Sequence, residues 1–236
     1  MGLDVYVGSL TRYYSGNWET VVQRYARETG TPLTVIRTNE EPSERLDAAS
    51  AHQYILQWRS SLSDGLGENL SEPLDWDERA DAPYFTDKPA WDCYGSLQLW
   101  AAYEEHPGLQ RPVGPVEDWS EDPGLNASRS QDFRTRYPNL LLNVEFWLPI
   151  DLGFTFTAPN PAGNSCVFGS SSALIRELND LNNRTWAAGE DQVGLWHHNA
   201  RDREAPLEKS AQFAFAILSS LAAASVQNRV PMLLDY

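Results

Sequence analysis

The sequence predicts a single domain of the α+β class, or loosely α/β, with a mixed sheet of about five strands packed against several helices. Short segments of alternating apolar and polar residues, typical of strands, occur at the start and in the middle of the chain. Longer segments carry apolar residues at helical spacing. The length of 236 residues and the 42% apolar composition suffice for one sizeable hydrophobic core.

The first strand is predicted at residues 3–7, which alternate with a period of two. Asp4 and Tyr6 share one face of this strand, and the apolar residues share the other. A helix is expected after an N-cap at Asn17, and residues 33–36 are typical of a second strand. A strand, a helix and a strand in this order predict a parallel crossover unit.

Residues 140–148 carry the strongest strand pattern of the chain. Their alternation is expected to place Val144 and Phe146 on one face and Glu145 on the other. A second alternating segment follows a turn, at residues 153–157, so the two segments together predict an antiparallel hairpin. Residues 166–168 are a further, short strand candidate.

Five later segments have the apolar spacing of helices. They are residues 42–62, 91–106, 128–137, 170–186 and 206–228. Residues 211–226 in the last segment are apolar nearly all round, but they fall short of the roughly 20 residues of a membrane span. We therefore expect a central core helix and no membrane association. The Pro- and Gly-rich residues 107–126 predict a long loop or a boundary between two lobes.

The expected location is the cytoplasm. The chain begins with an acidic residue at Asp4 and no early Lys or Arg, whereas a secretory signal requires a basic start followed by an apolar run. Only two cysteines are present, Cys93 and Cys166, which are too few for a disulfide framework. We expect both to be buried free thiols.

The formal net charge of −15 is the most informative bulk property. A nucleic-acid partner requires a basic face, so this charge argues against one and favours a basic protein as partner. The carboxylates are concentrated in the middle of the chain, where two acidic segments also hold tryptophans. The candidate partner face consists of Asp75, Trp76, Asp77, Glu78, Glu117, Asp118 and Trp119. The alternative is that the carboxylates serve solubility and the tryptophans fasten their loops to the core.

The opening residues, MGLDVYVGSLTRYY followed by Trp18 and Glu19, resemble the start of a group of uncharacterised bacterial proteins. The resemblance covers this opening segment and implies a bacterial source, without an activity. As an acidic single-domain chain, the protein is also similar in class to the immunity proteins of toxin systems.

A candidate cleft is predicted at the carboxyl end of the first strand, because ligands of open sheets bind beyond the carboxyl ends of parallel strands. The residues expected to line it are Asp4, Tyr6, Arg12, Tyr13, Tyr14 and Glu145. The alternative is that Asp4 pairs with a buried arginine and that the tyrosines pack in the core with their hydroxyls bonded.

A candidate anion site is predicted where a strand gives way to a helix, at Ser170, Ser171 and Ser172. Backbone N–H groups at a helix start attract anions. The alternative is that a serine simply caps the helix. The four histidines are not spaced for the three or four converging ligands of a metal site, so we expect no metal and no cofactor.

Two function classes follow from these observations. The first is an acidic protein-binding module of the toxin-immunity type, because the charge is lopsided and sequence-local catalytic motifs are missing. The alternative is a small-molecule enzyme, hydrolase-like, that uses the polar cleft at the end of the first strand.

Overall fold

The fold is given by a computed structural model, which describes residues 3–32, 46–114, 116, 118–198 and 205–236. Six strands form one sheet: β1 (Asp4–Val7), β2 (Phe85–Asp87), β3 (Val144–Leu148), β4 (Phe156–Pro159), β5 (Ser165–Ser170) and β6 (Met232–Asp235). Their order across the sheet is β2-β1-β6-β3-β5-β4. The pairing of β3 with β5 is parallel, and every other pairing is antiparallel. The mixed sheet predicted from the sequence is confirmed.

The helices of the described residues are α1 (Leu10–Tyr14), α2 (Val21–Thr29), α3 (Ala48–Leu66), α4 (Trp91–Glu105), α5 (Pro123–Ser128), α6 (Pro138–Leu141), α7 (Ser171–Thr185), α8 (Glu190–His198) and α9 (Leu207–Asn228). Single turns of 3-10 helix occur at Gly67–Asn69 and Trp119–Glu121. The α+β class expected from the sequence is therefore confirmed.

Hydrophobic clusters cover both faces of the sheet. Val5 and Trp147 face the first cluster, which α4, α7, α8 and α9 also form. Tyr6 and Phe146 face the second cluster, together with α3 and the segment after it. Because neighbouring residues of a strand point to opposite faces, β1 and β3 each contribute to both clusters. Tyr6, which was expected to line a cleft, is fully buried in the second cluster.

Helix α9 is the central helix of the first cluster, as predicted. Its length and composition alone would permit a membrane span, yet Ala211, Phe215 and Leu218 are buried against the rest of the protein. It packs chiefly on α4, α7 and α8. The expected helices at α4 and α7 are confirmed nearly to the residue.

The predicted hairpin between residues 140–148 and 153–157 is wrong. β5 lies beside β3 in parallel, and β4 forms its hairpin with β5 instead. The turn between β4 and β5 explains this pairing, because Gly163 adopts a positive φ of 84° and Asn160 Oδ1 accepts the N–H groups of Ala162 and Asn164. Such an Asn- and Gly-based turn reverses the chain at low cost.

The predicted alternation of residues 140–148 is interrupted by a bulge. The register of β3 against β5 shifts between Val144 and Phe146. Val144 therefore faces the first cluster, whereas Phe146 and Leu148 face the second. A bulge inserts an extra residue and so reverses the assignment of faces beyond it.

Three expected helix boundaries also change. α2 begins after Thr20, whose side chain and Gln23 form a reciprocal capping box, and not after Asn17. α3 begins after Asp47, which caps it, while residues 42–45 lie outside the described residues. The helix expected at 128–137 is wrong, because residues 129–137 are turns and coil and α5 ends at Ser128. α5 begins after Asp122, whose side chain accepts the N–H of Gly124.

The parallel crossover expected from residues 33–36 lies outside the described residues. Within the described chain, both sheet neighbours of β1 are antiparallel to it. β2 and β6 are strands that the sequence analysis did not identify. Both are short, and neither has a long alternating pattern.

Candidate functional site

The predicted cleft lies where α1 and the loop after it fold back over β1. There Tyr6 is surrounded by aromatic rings, with centroid distances of 5.2 Å to Tyr13, 4.9 Å to Trp18 and 6.1 Å to Tyr84. Its hydroxyl donates to the carbonyl of Ser9 at 3.0 Å, and burial raises its pKa. Tyr6 therefore packs as a core residue with its hydroxyl bonded, and only the outer rings of this cluster reach solvent.

Asp4 lies at the opposite end of β1 from α1. One of its oxygens accepts from Lys88 Nζ at 3.0 Å, so its partner is a lysine where an arginine was considered. The other oxygen, Oδ1, is buried without a hydrogen bond. Asp235 stands directly across the strand pair from Asp4 and accepts from the Tyr13 hydroxyl at 2.6 Å. Asp4 itself thus lies away from α1, but the Tyr13–Asp235 hydrogen bond connects α1 to the same end of β1.

Glu145 and Tyr14 complete the predicted set, and of the two only Glu145 lies farther along the sheet. Glu145 is on β3, which β6 separates from β1, and its carboxylate accepts a hydrogen bond from Tyr236. Burial raises the pKa of Tyr14, and the neighbouring Cys166 and Tyr54 act in the same direction. Tyr6, Arg12, Tyr13 and Tyr14 therefore share one neighbourhood, because the rings of Tyr13 and Tyr14 are also in contact, with centroids 5.1 Å apart. Asp4 and Glu145 lie outside it.

The serines of the predicted anion site are engaged in internal hydrogen bonds. Ser170 caps α7 by accepting the N–H of Ala173 at 3.0 Å, and it donates to the carbonyl of Ile150 at 2.6 Å. The Ser171 hydroxyl lies 2.7 Å from that of Ser225. Both residues are fully buried, whereas Ser172 is half-buried. Ser170 is therefore the N-cap of α7, and an anion site at this helix start stays a prediction.

A buried carboxylate next to these serines was not anticipated from the sequence. Glu177 accepts from the backbone and side-chain nitrogens of Asn139, at 3.0 Å and 2.6 Å, and from the backbone of Leu140 at 3.1 Å. Burial raises its pKa to about 7, although these N–H donors oppose the shift. A lone Glu within a helical pattern carries no local signal of such a role.

The first acidic segment is fastened to the protein by its inward side chains. Trp76 and Glu78 are buried, and Trp76 Nε1 donates to Glu78 at 2.5 Å. Glu78 also accepts from the backbone N–H groups of Leu10 and Thr11, at 3.1 Å and 2.7 Å. The predicted partner face requires Trp76 and Glu78 at the surface, but both side chains point inward.

The second acidic segment lies on the other side of the sheet. Trp119 packs against the first cluster, stacked with Trp91 at 6.4 Å, whereas Trp76 belongs to the second cluster. Asp118 is exposed beside it, and Glu117 lies outside the described residues. The two halves of the predicted partner face therefore do not form one continuous surface.

We use the name acidic strip for the surface carboxylates at the end of α3 and in the first acidic segment that follows it. Its members are Asp64, Glu68, Glu72, Asp75, Asp77 and Asp81. Asp77 is bound by Arg79 at 2.8 Å, and Asp75 lies 3.8 Å from Arg59. Glu72 accepts the backbone N–H of Asp151 at 3.1 Å. The strip keeps an excess of negative charge, because its carboxylates outnumber these arginines.

His106 and His197 each bridge two separate elements. His106 Nε2 lies 3.1 Å from the Ser128 hydroxyl, which donates to Glu105 at 3.1 Å. Because that proton is directed to a carboxylate and Ser128 is fully buried, the pair is not arranged as nucleophile and base. His197 lies 2.6 Å from Asp87 and joins α8 to β2. No group of three metal-ligating side chains occurs in the described ranges.

A surface groove of about 660 Å³ lies between the end of α7 and the start of α9. Trp186 and Trp196 line it, and Trp186 Nε1 donates to Glu208 at 3.1 Å. The charges of Glu208 and Lys209, which both line the groove, offset each other. The groove therefore has no electrostatic preference of its own.

Comparisons of this chain with protein-family models, with curated proteins and with solved structures found no match.

Proposed function

We propose that this protein is an acidic protein-binding module, of the toxin-immunity type, that engages a basic partner protein through the acidic strip. The observation that supports this most directly is the direction of the side chains. Leu74, Trp76 and Glu78 point inward and are buried, whereas Asp75 and Asp81 between and beside them are exposed. Within this short segment, the buried side chains anchor the backbone to the protein, and the exposed side chains carry negative charge.

The anchors hold the strip in a defined conformation. Arg59 donates to the carbonyl of Trp76 at 2.9 Å and lies 5.1 Å from the centre of its ring. Arg229 donates to the carbonyl of Asp75 at 3.0 Å. A surface that is ordered before binding loses less conformational entropy when a partner docks. The irregular segment therefore suits recognition despite its lack of regular secondary structure.

The charge of the strip fits a partner that presents lysines and arginines. Opposite charges across an interface raise the association rate and select against partners of the wrong sign. Exposed charges are screened by salt, with a Debye length of about 10 Å at 0.1 M. The proposal includes a cytoplasmic location, where the buried thiols of Cys93 and Cys166 remain reduced.

The experiment uses a fluorescently labelled arginine-rich peptide and measures its anisotropy with the protein at about 0.05 M and about 0.3 M NaCl. The strip variant carries D64N, E68Q, D75N and D81N. The control variant carries D118N, E121Q, D132N and E190Q, four exposed positions outside the strip, so both variants change the net charge equally.

We expect the strip variant to bind about tenfold more weakly than the unmodified protein at low salt, and the control to lose at most about twofold. Binding should weaken steeply at the higher salt concentration. Equal losses in the two variants would show that total charge and not the strip governs binding, which would contradict the proposal. Failure of the unmodified protein to bind the peptide would contradict it as well.

A further inference from the structure

A basic site lies beside the aromatic cluster, in a protein whose net charge is −15. Arg12 on α1 and Arg24 on α2 both face the ring of Tyr84, and their guanidinium carbons lie 5.0 Å and 5.6 Å from its centroid. Two positive groups from different helices thus converge on one half-buried tyrosine. We propose that Arg12, Arg24 and Tyr84 form a binding site for a phosphate group.

Neither guanidinium is neutralised by a carboxylate in the described part of the chain. The side chain of Arg24 makes no hydrogen bond to the described residues, and that of Arg12 makes one, from Nη1 to the carbonyl of Asn17 at 3.0 Å. The Nε–H of Arg12 is buried and has no acceptor. Arg27, which lies on α2 with Arg24, is instead paired with a carboxylate, because its Nε donates to Glu19 at 3.1 Å. Arg12 and Arg24 therefore retain donors for an external anion.

The surroundings position these two arginines. Tyr84 is fixed by its stacking on Tyr6 and by its hydroxyl, which accepts the backbone N–H of Glu19 at 3.3 Å. A guanidinium over an aromatic ring is held by attraction to the ring quadrupole while its edge stays available for hydrogen bonds. The planar fork of arginine suits phosphate oxygens, which it can bind in pairs.

Phosphate is favoured over carboxylate because two guanidiniums can compensate its double negative charge. A carboxylate brings a single charge and would leave one arginine unneutralised. The site is independent of the acidic strip, since it has the opposite sign and none of its residues belongs to that strip. The phosphate could be inorganic or part of an organic phosphate, and the chemistry of recognition is the same.

The test is titration calorimetry with inorganic phosphate, with phenyl phosphate and with acetate, at constant ionic strength. The variants are R12Q, R24Q and Y84L, and the matched control is R27Q. R24Q is the most informative variant, because the Arg24 side chain makes no hydrogen bond to the described residues on which folding would depend. A phosphate-induced rise in Tm provides a second readout on the same samples.

We expect both phosphates to bind the unmodified protein and R27Q equally, and acetate to bind at least tenfold more weakly. R12Q and R24Q should each weaken phosphate binding about tenfold or more and abolish the Tm shift. Equal binding of acetate and phosphate would overturn the assignment of the ligand. Equal loss in R27Q, or absence of phosphate binding to the unmodified protein, would overturn the site.

Discussion

Glu177 on α7 accepts two hydrogen bonds from Asn139, one from its backbone N–H at 3.0 Å and one from its side-chain amide at 2.6 Å. Asn139 in turn accepts the backbone N–H of Ser170 at 2.8 Å, and its carbonyl accepts from Trp147 Nε1 at 3.0 Å. Two buried side chains thus connect α6, α7, β3 and β5. Buried polar groups bonded in this way specify a unique arrangement of the elements around them.

The pH dependence of stability should report on Glu177. Burial raises its pKa in the folded protein to about 7, from an ordinary value of 4.5. Its favourable contribution is therefore complete below pH 4.5 and is lost as the pH rises through about 7. We expect the ionisation of Glu177 to lower the free energy of unfolding by about 3 kcal/mol between pH 4.5 and a pH above 7. Urea denaturation at several pH values across this range measures the change.

E177Q isolates this contribution, because glutamine does not titrate. At pH 5 the variant should be less stable than the unmodified protein by about 2 kcal/mol, since its amide nitrogen cannot accept from Leu140 N–H. The difference should shrink toward pH 8 as the carboxyl group ionises. A constant difference across the whole range would show that Glu177 titrates normally.

Glu78 is expected to control both stability and the order of the acidic strip. E78A removes the acceptor for the backbone N–H groups of Leu10 and Thr11 and for the indole N–H of Trp76. Because these donors are buried, we expect a loss of about 3 kcal/mol, measured by urea denaturation. Amide hydrogen exchange of residues 74–81 should accelerate. The control D81A, at an exposed neighbouring position, should change neither the free energy of unfolding nor the exchange rate. If the amides of residues 74–81 exchanged at similar rates in both variants, Glu78 would not anchor this segment.

Two helical glycines should respond oppositely to alanine. A Cβ at Gly95 on α4 would overlap the ring of Trp119, so G95A should destabilise the protein by about 1–3 kcal/mol and alter the near-UV circular dichroism. Gly194 on α8 has open space around its Cα, so G194A should stabilise it by up to about 1 kcal/mol. A neutral G95A would mean that Trp119 does not rest on α4.

The thiols should be unreactive in the folded state. Cys93 and Cys166 are buried, and burial raises the pKa of Cys166 to about 12. Because the thiolate is the reactive form, a disulfide reagent at pH 8 should modify neither cysteine in the native protein within minutes. Both should react at once in about 8 M urea, well above the usual unfolding midpoint. Rapid modification without denaturant would contradict this burial.

The elements that the sequence determined are those with a long local pattern. α4, α7 and α9 carry apolar residues over several turns, and β1 and β5 carry clear apolar strand segments. Such periodicity identifies an element without reference to its neighbours. The sequence also predicted that Tyr6, Arg12 and Tyr13 lie close together, because Arg12 and Tyr13 follow shortly after a recognisable strand that contains Tyr6.

Tertiary structure decided the strand order, the faces of β3 and the roles of the buried carboxylates. β6 lies between β1 and β3 although it comes last in the chain, and no local pattern encodes such a pairing. Glu78 and Glu177 look like surface residues in the sequence, yet each is buried where donors from distant segments meet. Strand pairing and burial depend on contacts between residues far apart in sequence, whereas local periodicity reports only the conformation of one segment.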